Sequence, residues 1–73
     1  MKGYETDSYN QENGELVERD FSLKKADAIK KGEKRSKDFP YVEVSEITYS
    51  DYDKDYLDST LVQVWRNGVK TIK

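Results

Sequence analysis

Asn67-Gly68 lies between two apolar runs, Leu61-Val62-Gln63-Val64-Trp65-Arg66 and Val69-Lys70-Thr71-Ile72, and it restricts the fold more than any other feature of the chain. Both residues accept positive φ, so a two-residue loop of this kind closes a type I′ hairpin whose twist matches that of its strands. The turn pairs Arg66 with Val69, Trp65 with Lys70 and Val64 with Thr71. Strict alternation then sets Val62, Val64 and Val69 on one face and Leu61, Trp65 and Ile72 on the other. A second Asn-Gly, at Asn13-Gly14, closes the polar stretch 10–14 between two more strand candidates. One of these holds Tyr4, Thr6 and Tyr9, the other Leu16, Val17 and Phe21.

Between the hairpins the period changes. Ser22 reads as a helix N-cap, with Phe21 before it as a hydrophobic staple. Leu23, Ala26, Ile29, Gly32 and Ser36 recur at spacings of three and four, which predicts a helix over 23–37 with a thin apolar face. Gly32 costs about 1 kcal/mol in a helix interior, and close approach to a sheet is its expected use. Pro40 disfavours helical geometry at Phe39 and ends the helix. Tyr41–Tyr49 reads as a strand with Val42 and Val44 inward. Ile47 breaks that parity, which calls for a bulge or a strand buried on both faces. The expected fold is α+β: a single domain over 1–73, in ββαβββ order, with one helix on an antiparallel sheet of four to five strands.

Composition narrows the chemistry. Seventy-three residues with 34% apolar and 38% charged side chains can fill one thin core. A net charge of −2 and the β-branched clusters argue for folding over disorder. With no cysteine and no histidine, thiol chemistry, cysteine metal sites and the commonest general base are excluded. The six serines have no histidine to activate them, and the four glycines are isolated rather than gathered in a phosphate loop. These absences predict a non-catalytic protein without cofactor or metal. Missing disulfides favour a reducing compartment. No run suits a membrane span and 1–5 carries no signal-like core, so a cytoplasmic location is expected.

Two stretches stand out as surfaces. Residues 49–58, Tyr-Ser-Asp-Tyr-Asp-Lys-Asp-Tyr-Leu-Asp, carry Tyr49, Asp51, Tyr52, Asp53, Asp55, Tyr56 and Asp58. Asp51, Asp53 and Asp55 open a calcium-loop pattern, but Tyr56 stands where the loop needs glycine and Val62 where it needs glutamate, so specific calcium binding is not expected. In an extended segment alternate carboxylates fall about 6.7 Å apart on one side. Such a row crudely resembles a row of phosphates, with tyrosine rings adding contact area. The competing reading is a solvated loop with its tyrosines tucked against the sheet. With Trp65 as an interface anchor, this region forms the expected partner-binding surface, complementary to a basic protein; the favoured reading of the Trp65 ring itself, for at least half of it, is core or cross-strand packing on Lys70. Residues 24–37 hold seven bases and two acids, a net +5, against −7 for the rest of the chain. Lys24, Lys31, Lys34 and Arg35 are the alternative, phosphate-binding candidates. The plainer reading is an exposed helix held by Asp27–Lys31 and Glu33–Lys37 pairs.

The stretch Gly14-Glu15-Leu16-Val17-Glu18-Arg19-Asp20-Phe21-Ser22-Leu23-Lys24-Lys25-Ala26 resembles hairpin-then-helix segments of small phage and mobile-element proteins. It is locally similar to the arm-binding domains of tyrosine recombinases, which place three strands before the helix where this chain has three candidates after it. The expected function is a small binding protein of phage or mobile-element type. It would inhibit or regulate a partner protein through the acidic tyrosine surface, without catalysis, and in one version would mimic nucleic acid. The alternatives are an accessory nucleic-acid-binding protein using the basic helix, or a self-assembling structural subunit, for which a homodimer is the simplest form.

Overall fold

A computed structural model describes residues 2–50 and 56–71, with the backbone alone for Tyr56. The order is β1 (Lys2–Tyr9), β2 (Leu16–Ser22), α1 (Lys25–Arg35), β3 (Tyr41–Tyr49), β4 (Tyr56–Arg66) and β5 (Val69–Thr71). The strands form one antiparallel sheet in the order β2-β1-β3-β4-β5, with α1 on one face. This is the α+β arrangement that the two turns and the intervening helix predict.

Asn67 (φ 53°) and Gly68 (φ 81°) both take the left-handed region, and β4 pairs with β5 in the expected register, Trp65 opposite Lys70. The first turn is built differently. There Asn13 (φ 64°) takes the positive φ. Gly14 gives room to its neighbours: a Cβ there would run into the Asn10 and Gln11 side chains and lie 3.0 Å from the Gln11 carbonyl oxygen.

β1 pairs with β3 without interruption from Lys2 opposite Thr48 to Tyr9 opposite Tyr41. Residues 42 and 44 of β3 therefore share the α1 side with Thr6 and Ser8. Ile47 and Tyr49 are buried on the opposite side, so β3 is a strand buried on both faces. The irregularity lies in β4. Val44 pairs with Gln63 and Ser45 with Leu61, leaving Val62 as an extra residue. That bulge corrects the alternation expected of the last hairpin. Val62 and Trp65 join the α1 side, in one cluster with Ala28, Val42 and Val44, while Val64 pairs with Glu43 on the other side.

α1 is shorter than its sequence suggests. Ser22 stays in β2, opposite Tyr4, and Lys24 precedes the helix with no side-chain cap. Strand pairing has won over the local capping preference. The buried stripe uses Ala28 and Gly32, while Ala26 and Leu23 face out. Phe21 does not staple the helix; it lies over Gly3 and meets Tyr49 edge-on, with ring centroids 6.2 Å apart. Thr6 Oγ1 donates to the carbonyl of Ala28 at 3.2 Å, which ties the first turns of α1 to the central strands.

Candidate interaction surfaces

Beside the buried Ile47, Tyr49 and Val64, the open face of the sheet carries a network of paired polar side chains. β1 alternates, so Glu5, Asp7 and Tyr9 project from it together, away from α1. Glu5 and Asp7 are both only 6% exposed. Arg19, which faces Asp7 from β2, bonds Asp7 through Nε (3.0 Å) and Nη2 (3.3 Å) and approaches Glu5 at 3.6 Å. Burial and the neighbouring charge of Asp7 push the Glu5 carboxyl above the ordinary glutamate range, and Arg19 only partly offsets them. Farther along, Tyr9 (3.2 Å) and Tyr41 (3.0 Å) both donate to Glu43, and their rings meet edge-on at 5.5 Å. Burial first and the Glu43 charge second push Tyr9 up to about 12. Arg66 stacks 5.6 Å from the Tyr41 centroid and holds Glu12 through two bonds of 3.0 and 3.1 Å.

Tyr4 donates to Glu46 at 3.0 Å, and Lys2 lies 3.6 Å from the same carboxylate. Three of the four tyrosines described with side chains thus serve glutamates of β3. Arg35 also turns inward, pairing with Glu18 (3.0 Å) and Asp20 (3.2 Å) of β2. All three arginines of the chain are consumed in this way.

The lysines of α1 are not. Lys24, Lys25, Lys30, Lys31, Lys34 and Lys37 make no ion pair among the described residues, and the expected Asp27–Lys31 and Glu33–Lys37 pairs do not form. Asp27, Lys30, Lys31 and Lys34 follow a spacing of three, one and three, which places them on one side of the helix. That side looks past the β2 edge into an open groove of about 500 Å³, whose other wall is Phe21, Ser22 and Leu23. Leu23 is 69% exposed. Asp27 is the one carboxylate among the lining residues.

The predicted residues distribute as follows. Trp65, a candidate anchor whose ring is expected first as core, is 2% exposed and lies against Gly32, so its ring is part of the core. Tyr49 is 7% exposed and packed on Phe21; Asp58 is exposed and accepts from the Ser59 amide at 2.8 Å. Asp51, Tyr52, Asp53 and Asp55 lie outside the described residues, as does the Tyr56 side chain. Of the basic candidates, Lys31 and Lys34 meet in the groove, Lys24 stands outside its lining, and Arg35 is drawn back onto β2. Lys30 and Leu23 were absent from the sequence candidates. The one-sided spacing of Lys30, Lys31 and Lys34 is the signal that could have shown the first.

Among the described residues no cluster of three or more acids is placed to hold a metal, and no helix is long and apolar enough to cross a membrane. Comparison with protein-family models, with curated proteins and with solved structures finds no match.

Proposed function

We propose that this protein is a non-catalytic binding module that takes an anionic partner on the lysine side of α1, and that it works by occupancy, as an inhibitor or regulator of that partner. One observation carries the reading. The groove lysines Lys30, Lys31 and Lys34 have no carboxylate partner among the described residues, whereas every arginine is neutralised from within. Unpaired ammonium groups on one side of a helix keep their attraction for an incoming anion. Arg35 holds Glu18 and Asp20, which takes those two carboxylates out of competition.

The direct test is fluorescence anisotropy of a labelled oligoglutamate at low salt. Wild type should bind, with affinity falling steeply as salt rises. Exchanging Lys30, Lys31 and Lys34 together for Gln should abolish binding. The same exchange at Lys24, Lys25 and Lys37 alters net charge equally and should leave most of it. No binding by wild type, or equal loss in both triple variants, would overturn the reading.

A further inference from the structure

The groove runs beside one edge of the sheet. β2 is the outermost strand, and among the described residues no strand pairs with its outer side over seven residues. Such an edge offers a row of amides and carbonyls to any extended chain, and edges are ordinarily blunted by charge, proline or cover. Here the charges of the edge, Glu18, Arg19 and Asp20, are each engaged in ion pairs within the chain, and exposed apolar side chains flank them. Leu16, Val17 and Phe21 of β2, and Leu23 just beyond it, are four of the six exposed large hydrophobic residues of the described chain. The register sorts the two sides. Glu18, Asp20 and Ser22 sit opposite Ser8, Thr6 and Tyr4, on the α1 side. Arg19 and Phe21 sit opposite Asp7 and Glu5, on the open side.

We infer that the partner docks by strand addition: a protein segment in which acidic and apolar residues alternate extends the sheet at β2. The inference rests on the anion-binding reading and deepens it. In an added strand successive side chains point to opposite faces. Those on the α1 side, near Ser22 and Leu23, come under Lys30, Lys31 and Lys34. Those on the open side lie beside the half-exposed ring of Phe21. Backbone bonds to β2 supply affinity, and the two rows of side chains supply selectivity. Carboxylates answer the lysines, while apolar residues answer the exposed edge.

The test uses capped peptides as long as β2. One alternates Glu and Val, a second alternates Glu and Ser, and a third, made in two registers, is the Glu/Val peptide with the backbone amides of either all its Glu or all its Val residues methylated. A thymidylate oligonucleotide of equal length is the fourth probe. The Glu/Val peptide should bind roughly tenfold tighter than Glu/Ser, a difference of about 1.4 kcal/mol. It should slow amide hydrogen exchange along Leu16–Ser22, and one of the two methylation registers should abolish binding. Equal affinity for the Glu/Val and Glu/Ser peptides, with exchange along β2 unchanged, would refute strand addition and leave the anionic partner standing. Tighter binding of the oligonucleotide would replace the protein partner with nucleic acid. Failure of every probe to bind would remove the functional reading and this inference with it.

Discussion

Gly32 of α1 lies directly against the indole of Trp65: a Cβ at Gly32 would fall 2.4 Å from Cζ3 and 2.5 Å from Cη2. The glycine costs helix stability, and the large ring in the gap closes the small cluster of Ala28, Val42 and Val44. Packing outweighs propensity at this position. Gly32→Ala should gain about 1 kcal/mol of helix propensity and lose about 1–3 kcal/mol to overpacking. The net expected is a lower melting temperature by calorimetry. Combining it with Trp65→Leu should recover part of the loss, because the clash partner is gone. A stabilised Gly32→Ala would mean that the helix shifts freely over the sheet.

The tyrosines should titrate late. Tyr4, Tyr9 and Tyr41 are all raised, Tyr4 chiefly by its hydrogen bond to Glu46, and Tyr9 and Tyr41 chiefly by burial. A raised phenol favours the protonated folded state. Its contribution is complete below the ordinary value near 10 and is lost as pH rises toward about 12 for Tyr9. Phenolate absorbance should therefore show a late-ionising group of tyrosines, and stability should fall across that window. Glu43→Gln should bring the late phase earlier by removing both the charge and the carboxylate acceptor at Tyr9.

Glu5 titrates with the same sign at lower pH. Its carboxyl is raised by burial, then by Asp7, so the folded state holds the proton more tightly than the unfolded chain. The stabilising effect is full below the ordinary value of 4.5 and is lost as pH climbs through the raised one. Glu5→Gln should thus gain on wild type as pH rises from acid toward neutral. A variant that loses ground over that range would show that the Arg19 contact outweighs the burial.

The acidic segment is expected to add rate for a basic partner. Exchanging Asp51, Asp53 and Asp55 for Asn should slow association with an oligolysine peptide roughly tenfold at low salt and flatten its salt dependence. Tyr52→Ala with Tyr56→Ala should instead quicken dissociation. Unchanged kinetics in both sets would leave the segment as a solvated loop.

Much of the fold was legible because its signals are local. Asn67-Gly68 set the β4–β5 register down to Trp65 opposite Lys70. Misreadings arose where a distant partner decides. Ser22 looks like a cap until Tyr4 pairs with it. The extra residue at Val62 leaves no mark in the alternation, yet it moves Val62 beside Trp65 and leaves Leu61 opposite Ser45. On the basic helix, Arg35 is indistinguishable from its lysine neighbours in sequence. Glu18 and Asp20, more than a dozen residues earlier, claim it. The groove was partly readable from lysine spacing, but its second wall depends on how β2 meets α1.

The uninterrupted β1–β3 pairing has a kinetic consequence. Every other strand pair joins neighbours in sequence, so the β1–β2 and β3–β4–β5 units close short loops. Among the described residues, the pairing of Lys2–Tyr9 with Tyr41–Thr48 is the one between strands that brings together residues 32 to 46 positions apart, with α1 in the intervening chain. Loop closure of that span comes before its contacts give any return. The two units can form early and independently, and the slow event is their zipping along this single seam. Conservative changes at Thr6 or Val44, which face each other across it, should act mainly on the folding rate. Changes confined to the β4–β5 hairpin, which is already formed when the seam zips, should likewise leave the unfolding rate nearly unchanged.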